Sequence, residues 1–304
     1  FMSTNTFASA FNTTADYYVE DGKVKYGPLD EGFKPYLETM NKWYKEGLID
    51  PSFATLDTKT VEANILNGTS GVAHGSIGSG IGKWMASAKT EGYSLSGAPV
   101  PVPTRDAKAK FGVYQLPVTA SRTAFDAIST GCKNIDAAIK YLDYGYSEEG
   151  RMLYNFGIEG KSYVMKDGYP TYTEEITNNP EGLSMTVALA KYTRSYSTGP
   201  FIQDKRYMEQ YASLPQQKEA WATWSDTDVA KYTLPHLYMK NDELTEYAQL
   251  NNDINTYVNE VVSKFIIGAE PIANYDNMVS QLHTRGIDRM LELKQAAYDR
   301  YLAR

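Results

Sequence analysis

What this 304-residue sequence has little of narrows its function first. It carries one cysteine, Cys132, so no intrachain disulfide can form. Lys133 is the only basic neighbour that could lower the Cys132 thiol, and the residue reads as a small buried one rather than a nucleophile. The three histidines, His74, His236 and His283, share neither a mutual spacing nor a His-Glu-x-x-His frame. No loop of alternating oxygen ligands closes on a glutamate, so neither a metal nor a cofactor is expected. There is no run of ~18 apolar residues, hence no expected transmembrane helix. Basic residues are outnumbered 30 to 37, and the net charge of -7 opposes a duplex nucleic acid or an anionic membrane as partner. The opening Phe1-Met2-Ser3-Thr4 lacks the basic stretch and apolar core of a secretory signal, and reads as the start of a truncated chain.

What is present is ordinary globular material, 42% hydrophobic and 22% charged. Its length suits about two domains of ~150 residues. Tyrosines number 25 against 10 phenylalanines. Tyrosine joins a large apolar face to a polar tip, which suits contact with a polar, C–H-rich ligand such as a sugar.

Two hairpins are predicted where Asp-Gly separates strand-forming runs, at Tyr17–Tyr26 and Tyr163–Tyr172. Between them, Phe33, Tyr36, Leu37, Met40, Trp43 and Tyr44 fall on one helix face, with Asp30 as candidate cap and Gly47 as stop. A helix over 59–67 should lead into a strand at Gly71-Val72-Ala73-His74, then a glycine-rich loop and a helix carrying Lys83 and Trp84. The proline-rich run 98–103 reads as an edge or crossing strand. Such alternation implies a mainly parallel sheet. Beyond Asn134 the pattern is helical. Asn134 and Ser147 are candidate N-caps, Gly157 a stop, and long helices end at Gly268 and near Leu302. Trp43 belongs to the core, and Trp221 and Trp224 lie three apart on a helix after Pro215.

The stretch Gly75-Ser76-Ile77-Gly78-Ser79-Gly80-Ile81-Gly82-Lys83-Trp84 resembles a phosphate cradle only superficially. A P-loop needs Ser or Thr where Trp84 stands and a glycine at Ile77. A dinucleotide fingerprint from Gly78 needs glycine at Lys83, and a serine elbow on Ser76 needs it at His74. Two readings remain: a flexible turn into a helix, or a loop whose backbone amides and Trp84 line a ligand cleft. Carboxylate pairs such as Glu148-Glu149, Glu174-Glu175 and Asp226/Asp228 suit solvated helix starts, and nothing compels an enzyme.

Four segments in order resemble the extracellular solute-binding proteins of bacterial ABC transporters, specifically family-1, sugar-type lipoproteins. They are Met40–Pro51 (MNKWYKEGLIDP), Cys132–Tyr144 followed by Ser147-Glu148-Glu149-Gly150, Asn155–Tyr163 (NFGIEGKSY), and the tail from Asp253 through Gly268 to Ala297-Tyr298-Asp299-Arg300-Tyr301. The resemblance implies an α/β, periplasmic-binding-protein-like (type II) two-lobed fold, truncated at its amino terminus and helical in its C-terminal part. Residues 1–125 would be a lobe 2 segment, 126–165 a return segment of lobe 1, and 166–304 a helical remainder packing mainly on lobe 2. It implies an oligosaccharide ligand, ABC permease subunits as partners, and an extracellular, cell-surface setting. Membrane contact would then run only through a lipid anchor that this chain lacks. The expected ligand residues are Trp84 as stacking platform, Glu159 as hydroxyl acceptor, Tyr163 and Tyr114 as amphipathic walls, and His74 and Ser76 as loop donors. For Glu159 the alternative is bracing the Gly157–Gly160 turn; for the two tyrosines it is strand packing. The competing functions are a glycoside hydrolase or lyase, and a peptide-binding member of the same fold.

Overall fold

The computed structural model describes residues 7–112, 126–194 and 201–304. In chain order the elements are strands β1 (Tyr17–Glu20) and β2 (Lys23–Tyr26), helices α1 (Phe33–Lys45) and α2 (Thr58–Leu66), a π-helical turn Ile77–Gly82 and α3 (Lys83–Ser87). There follow α4 (Ile135–Tyr144), α5 (Glu148–Phe156), strands β3 (Tyr163–Lys166) and β4 (Tyr169–Tyr172), α6 (Glu174–Thr177), α7 (Met185–Leu189) and α8 (Lys205–Tyr211). The chain ends with α9 (Pro215–Ser225), α10 (Val229–Tyr232), α11 (Leu244–Ile267), α12 (Tyr275–Thr284) and α13 (Ile287–Leu302). It separates into two compact units, one of Phe1–Val61, Pro99–Tyr114 and Trp224–Arg304, the other of Glu62–Ala98 and Gln115–Thr223.

The first unit is built on α1 and α11. Phe33, Tyr36, Leu37 and Met40 recur at helical spacing and are buried against Ile254, Val258, Val262, Phe265 and Ile266. Trp43 packs at the edge of this core, its ring T-shaped to Phe7 at 5.3 Å. Buried Asn41 Nδ2 donates to the carbonyls of Phe265 and Ile266 at 2.8 and 3.1 Å. These are last-turn carbonyls, beyond the reach of the helix's own i+4 ladder, and Phe265 also accepts from the Gly268 amide at 3.2 Å. Gly268, at φ +79°, ends the helix, as its sequence position predicts. The β1–β2 hairpin turns at Asp21 and Gly22, with φ of 51° and 75° as the two-residue turn requires. Gln295 of α13 fixes that hairpin, accepting from the Val24 amide at 2.8 Å and donating to the Gly22 carbonyl at 3.1 Å.

The second unit packs α5, the β3–β4 hairpin, α6 and α7 around Phe156, Tyr163, Tyr172, Ile176, Ala188 and Leu189. Its helix starts are capped as the sequence predicts: Asn134 accepts from the Ala137 amide and Ser147 from the Gly150 amide. Buried Asp204 caps α8 through the Arg206 amide at 2.9 Å and is gripped by the Arg206 guanidinium at 2.6 Å, with Arg151 3.6 Å away. Burial alone would raise its carboxyl. The Arg206 bonds and the two positive charges outweigh that and hold it below the usual aspartate value.

Five expectations are corrected. Among the described residues the strands form only two antiparallel two-stranded sheets, so the mainly parallel sheet is not found. The segment Gly71–His74 is not a strand: Val72 is exposed and its carbonyl accepts from the Ser70 hydroxyl instead of a neighbouring strand. The run Ala98–Pro103 is not part of a strand, and its three prolines lack the amide that a ladder needs. Asp30 does not cap α1 with its side chain. The carboxylate accepts from Tyr18 and Thr13, and only the Asp30 carbonyl meets the Phe33 amide. Cys132 is half-buried rather than buried.

Two stability predictions follow from these contacts. Asn41→Ala strips the Ile266 carbonyl of its side-chain donor and leaves the Phe265 carbonyl only the Gly268 amide; it should cost about 2 kcal/mol, read as a lower urea midpoint at unchanged m-value. Asp204→Asn should destabilise at pH 7. Because the folded carboxyl titrates below its unfolded value, that difference should shrink as pH falls below about 4; a difference constant from pH 7 to 3 would refute the ion-pair account.

Candidate functional site

Trp84, Glu159, Tyr163, His74 and Ser76 all fall in the second unit; Tyr114 lies outside the described residues. The glycine-rich stretch proves to be a single π-helical turn running into α3. The Ser76 carbonyl accepts from both the Gly80 and Ile81 amides at 3.0 Å, and the Ser76 hydroxyl accepts from the Ser79 amide at 3.1 Å. Those three amides are spent inside the turn, and so cannot cradle an anion.

The glycines are required by what presses on them. A methyl at Gly75 would come within 2.8 Å of the Trp84 ring, one at Gly78 would run into the Tyr211 ring, and one at Gly82 would meet Gln217 at 2.6 Å. Gln217 is buried; it accepts from the Leu214 amide and donates to the Ile77 carbonyl at 2.8 Å, tying α9 to the turn. Trp84 is thus folded onto its own turn, with 7% of its surface exposed. His74 and Ser76 stand exposed at the turn's entrance, with the Ser79 hydroxyl 2.8 Å from that of Ser76.

Tyr163 is buried in the core of the unit, its ring 5.8 Å from Phe156, which is the strand-packing role. Burial, and after it the charge of Glu159, raises its hydroxyl above the ordinary tyrosine value. Glu159 is exposed and pairs through its backbone with Tyr163. The neighbouring turn is held by Ser162, whose hydroxyl accepts from the Ile158 amide and donates to the Phe156 carbonyl, both at 2.7 Å. Gly157, at φ +82°, faces that same hydroxyl, where a side chain would not fit.

The link between the two groups is one that the sequence reading passed over. Tyr207 and Tyr211, four apart on α8, stack at 5.4 Å. Both pack on the core that holds Tyr163, while the Tyr211 ring covers Gly78 and its hydroxyl meets Thr186 Oγ1 at 2.9 Å. Their i, i+4 spacing was the available signal. Tyr211 therefore joins the turn that carries Trp84 to the core that holds Tyr163, and the groups left exposed are Ser76, Ser79 and His74 at the turn and Glu159 beside the hairpin. Among the described residues no group of three His, Cys, Asp or Glu side chains could hold a metal ion. Nor is any helix there long and apolar enough to cross a membrane.

The overall course of this chain is one already seen in solved structures. An alginate-binding protein, AlgQ2, matches with a TM-score of 0.75 at 22% identity, over 98% of this chain and 62% of its own. The S. pneumoniae ABC-transporter substrate-binding protein FusA, as an EF-hand mutant with fructo-nystose, matches at 0.69 and 18% identity, over 98% and 60%. A solute-binding protein from Bifidobacterium longum infantis, described as binding HMO, matches at 0.65 and 18%, over 99% and 62%. The chain accordingly has the periplasmic-binding-protein-like fold of extracellular solute-binding proteins. By sequence it is 23% identical over 291 residues to the lipoprotein LipO of Bacillus subtilis, covering 93% of this chain and 54% of LipO. It is 22% identical over 260 residues to an uncharacterized protein of Niallia circulans, covering 84% and 94%. No protein-family model matches. The chain thus spans little more than half the length of LipO and about three fifths of the solved structures.

Gly78→Ala should force the turn away from Tyr211 and cost about 1–3 kcal/mol, whereas Gly71→Ala, in open space, should leave the thermal midpoint within a degree or two.

Proposed function

We propose that this chain is the ligand-binding part of an ABC importer's substrate-binding protein, which takes up an oligosaccharide outside the cell and delivers it to a membrane permease. The observation that carries this reading is the match of nearly the whole chain to sugar-binding members of the fold, at a TM-score of 0.75 for the alginate-binding protein and 0.69 for FusA. The exposed hydroxyl, imidazole and carboxylate of Ser76, His74 and Glu159 support the same reading, because sugars are held in part by a few fixed hydroxyl partners. Glu159 would be the hydroxyl acceptor and His74 and Ser76 the loop donors, while Trp84 as stacking platform and Tyr163 as wall would need their buried rings uncovered. Residues 1–125 would belong to lobe 2, 126–165 would return to lobe 1 and 166–304 would pack mainly on lobe 2. The protein would bind and not turn over its ligand, and its surface location would rest on a lipid anchor of the kind that the name of LipO denotes.

Thermal shift and calorimetry against kestose, alginate oligosaccharides and a peptide mixture test this reading. A saturable shift with one glycan class is expected, reaching about 2.7 kcal/mol of added stability at one hundred times Kd. Glu159→Gln, an exposed change, should keep the unliganded melting temperature and weaken binding about tenfold, ~1.4 kcal/mol. A shift with peptide alone would change the cargo, and glycan cleavage abolished by Glu159→Gln with binding intact would make the protein an enzyme.

A further inference from the structure

Asparagine is among the less durable residues, because the backbone amide that follows it can attack its carboxamide carbon. That attack needs a next residue without a side chain, a carboxamide that nothing holds, and an amide that is only loosely bonded. Asn67 meets all three conditions. It is the only asparagine in the chain followed by glycine, and glycine, lacking a Cβ, leaves the approach open. Asn67, Gly68 and Thr69 stand exposed just past the end of α2. The Asn67 carboxamide makes no hydrogen bond among the described residues, whereas those of Asn41, Asn134, Asn155 and Asn179 are each held. The Gly68 amide reaches the Ile65 carbonyl only at 3.4 Å, longer than a well-made bond of about 3 Å. Nothing lies within 4 Å of where a Gly68 side chain would stand, and its φ of +72° carries the chain away from the helix. The two Asp-Gly turns, at Asp21 and Asp167, present a carboxyl group in place of the amide and have no ammonia to lose.

We propose that Asn67 is a site of spontaneous covalent modification, converted through a cyclic imide to aspartate and its β-linked isomer. The Gly68 nitrogen gives its proton to solvent base and bonds to Asn67 Cγ. The Cγ–Nδ2 bond breaks, and the departing nitrogen takes up a proton from solvent and leaves as ammonia. Water then opens the imide at either carbonyl, so the balance is one water in and one ammonia out, with no oxidant, cofactor or enzyme. Both products put a negative charge beside the carboxyl end of α2, which is already the negative end of the helix dipole. The β-linked product also lengthens the backbone by one methylene in the segment that leads from α2 to His74 and Ser76. This chemistry belongs to the chain itself and is independent of what the candidate site binds.

Trypsin isolates the step in peptide 60–83, since no lysine or arginine lies between Lys59 and Lys83. With the folded chain kept at mildly alkaline pH, mass spectrometry should show that peptide gaining one mass unit at Asn67. The gain should be roughly tenfold faster than at exposed Asn178, which corresponds to about 1.4 kcal/mol of barrier. Hydroxylamine, which attacks the imide, should cut the chain between Asn67 and Gly68. Asn67→Gln should abolish that cut and leave the melting temperature unchanged. Because the turn leaves the step open, the folded chain should also react within about tenfold of the free peptide 60–83. A rate at Asn67 no greater than at Asn178 would overturn the assignment, and so would protection by the fold beyond that tenfold margin.

Discussion

The first unit exists only because α11 comes back to α1. Its three stretches lie far apart in the sequence, with 62–98 and 115–223 belonging to the other unit, so no local rule holds them together. What does is a dry face of Phe33, Leu37, Met40, Ile254, Phe265 and Ile266, each fully buried, and Asn41 closing the end of α11 across some 224 positions of sequence. Closing so long an excursion costs little more than closing a short one, because loop entropy grows only with the logarithm of length. The contact has to be specific rather than extensive, and an amide bonded to two last-turn carbonyls supplies that specificity where apolar packing alone would tolerate a slip of α1 along α11.

The second unit solves a different problem, the placing of large rings against backbone. Trp84 and Tyr211 lie on Gly75 and Gly78, at distances no side chain there would permit, and Gln217 crosses Gly82 to reach the Ile77 carbonyl. The wider π turn lets one carbonyl, that of Ser76, take two amides before the chain runs on into α3. The same packing that makes the glycines necessary also removes the turn's amides from service as an anion site. The glycine signal therefore concerns aromatic packing and not phosphate, and the polar groups left facing outward are hydroxyl, imidazole and carboxylate.

Much of this was legible in the residues because it is local. Asp21-Gly22 and Asp167-Gly168 adopt the positive φ values their type favours, Asn134 and Ser147 cap the helices they precede, and Gly47, Gly157 and Gly268 stop the helices they follow. What failed was nonlocal. Gly71–His74 and Ala98–Pro103 have strand-like composition, but a strand needs a partner, and pairing is invisible in one segment. Asp30 was readable as a cap only while Tyr18 and Thr13, 12 and 17 positions away, went unconsidered as its donors. At the site, the residue types were legible but the directions were not. That Trp84 follows a glycine turn could be read; that its ring folds back onto Gly75 could not, nor that Tyr211 would join it to Tyr163.

Helix α4 shows the same division from the other side. Every local requirement is met in it: an Asn cap, Asp136 in the first turn, and an apolar stripe at helical spacing. The stripe is left exposed all the same, because burial needs a second packed element, which no local rule supplies. An exposed isoleucine is commonplace. Two of them a helical turn apart, on a stripe with a half-buried leucine and beside a hollow lined by Ile128 and Tyr141, form a patch rather than scattered exposure.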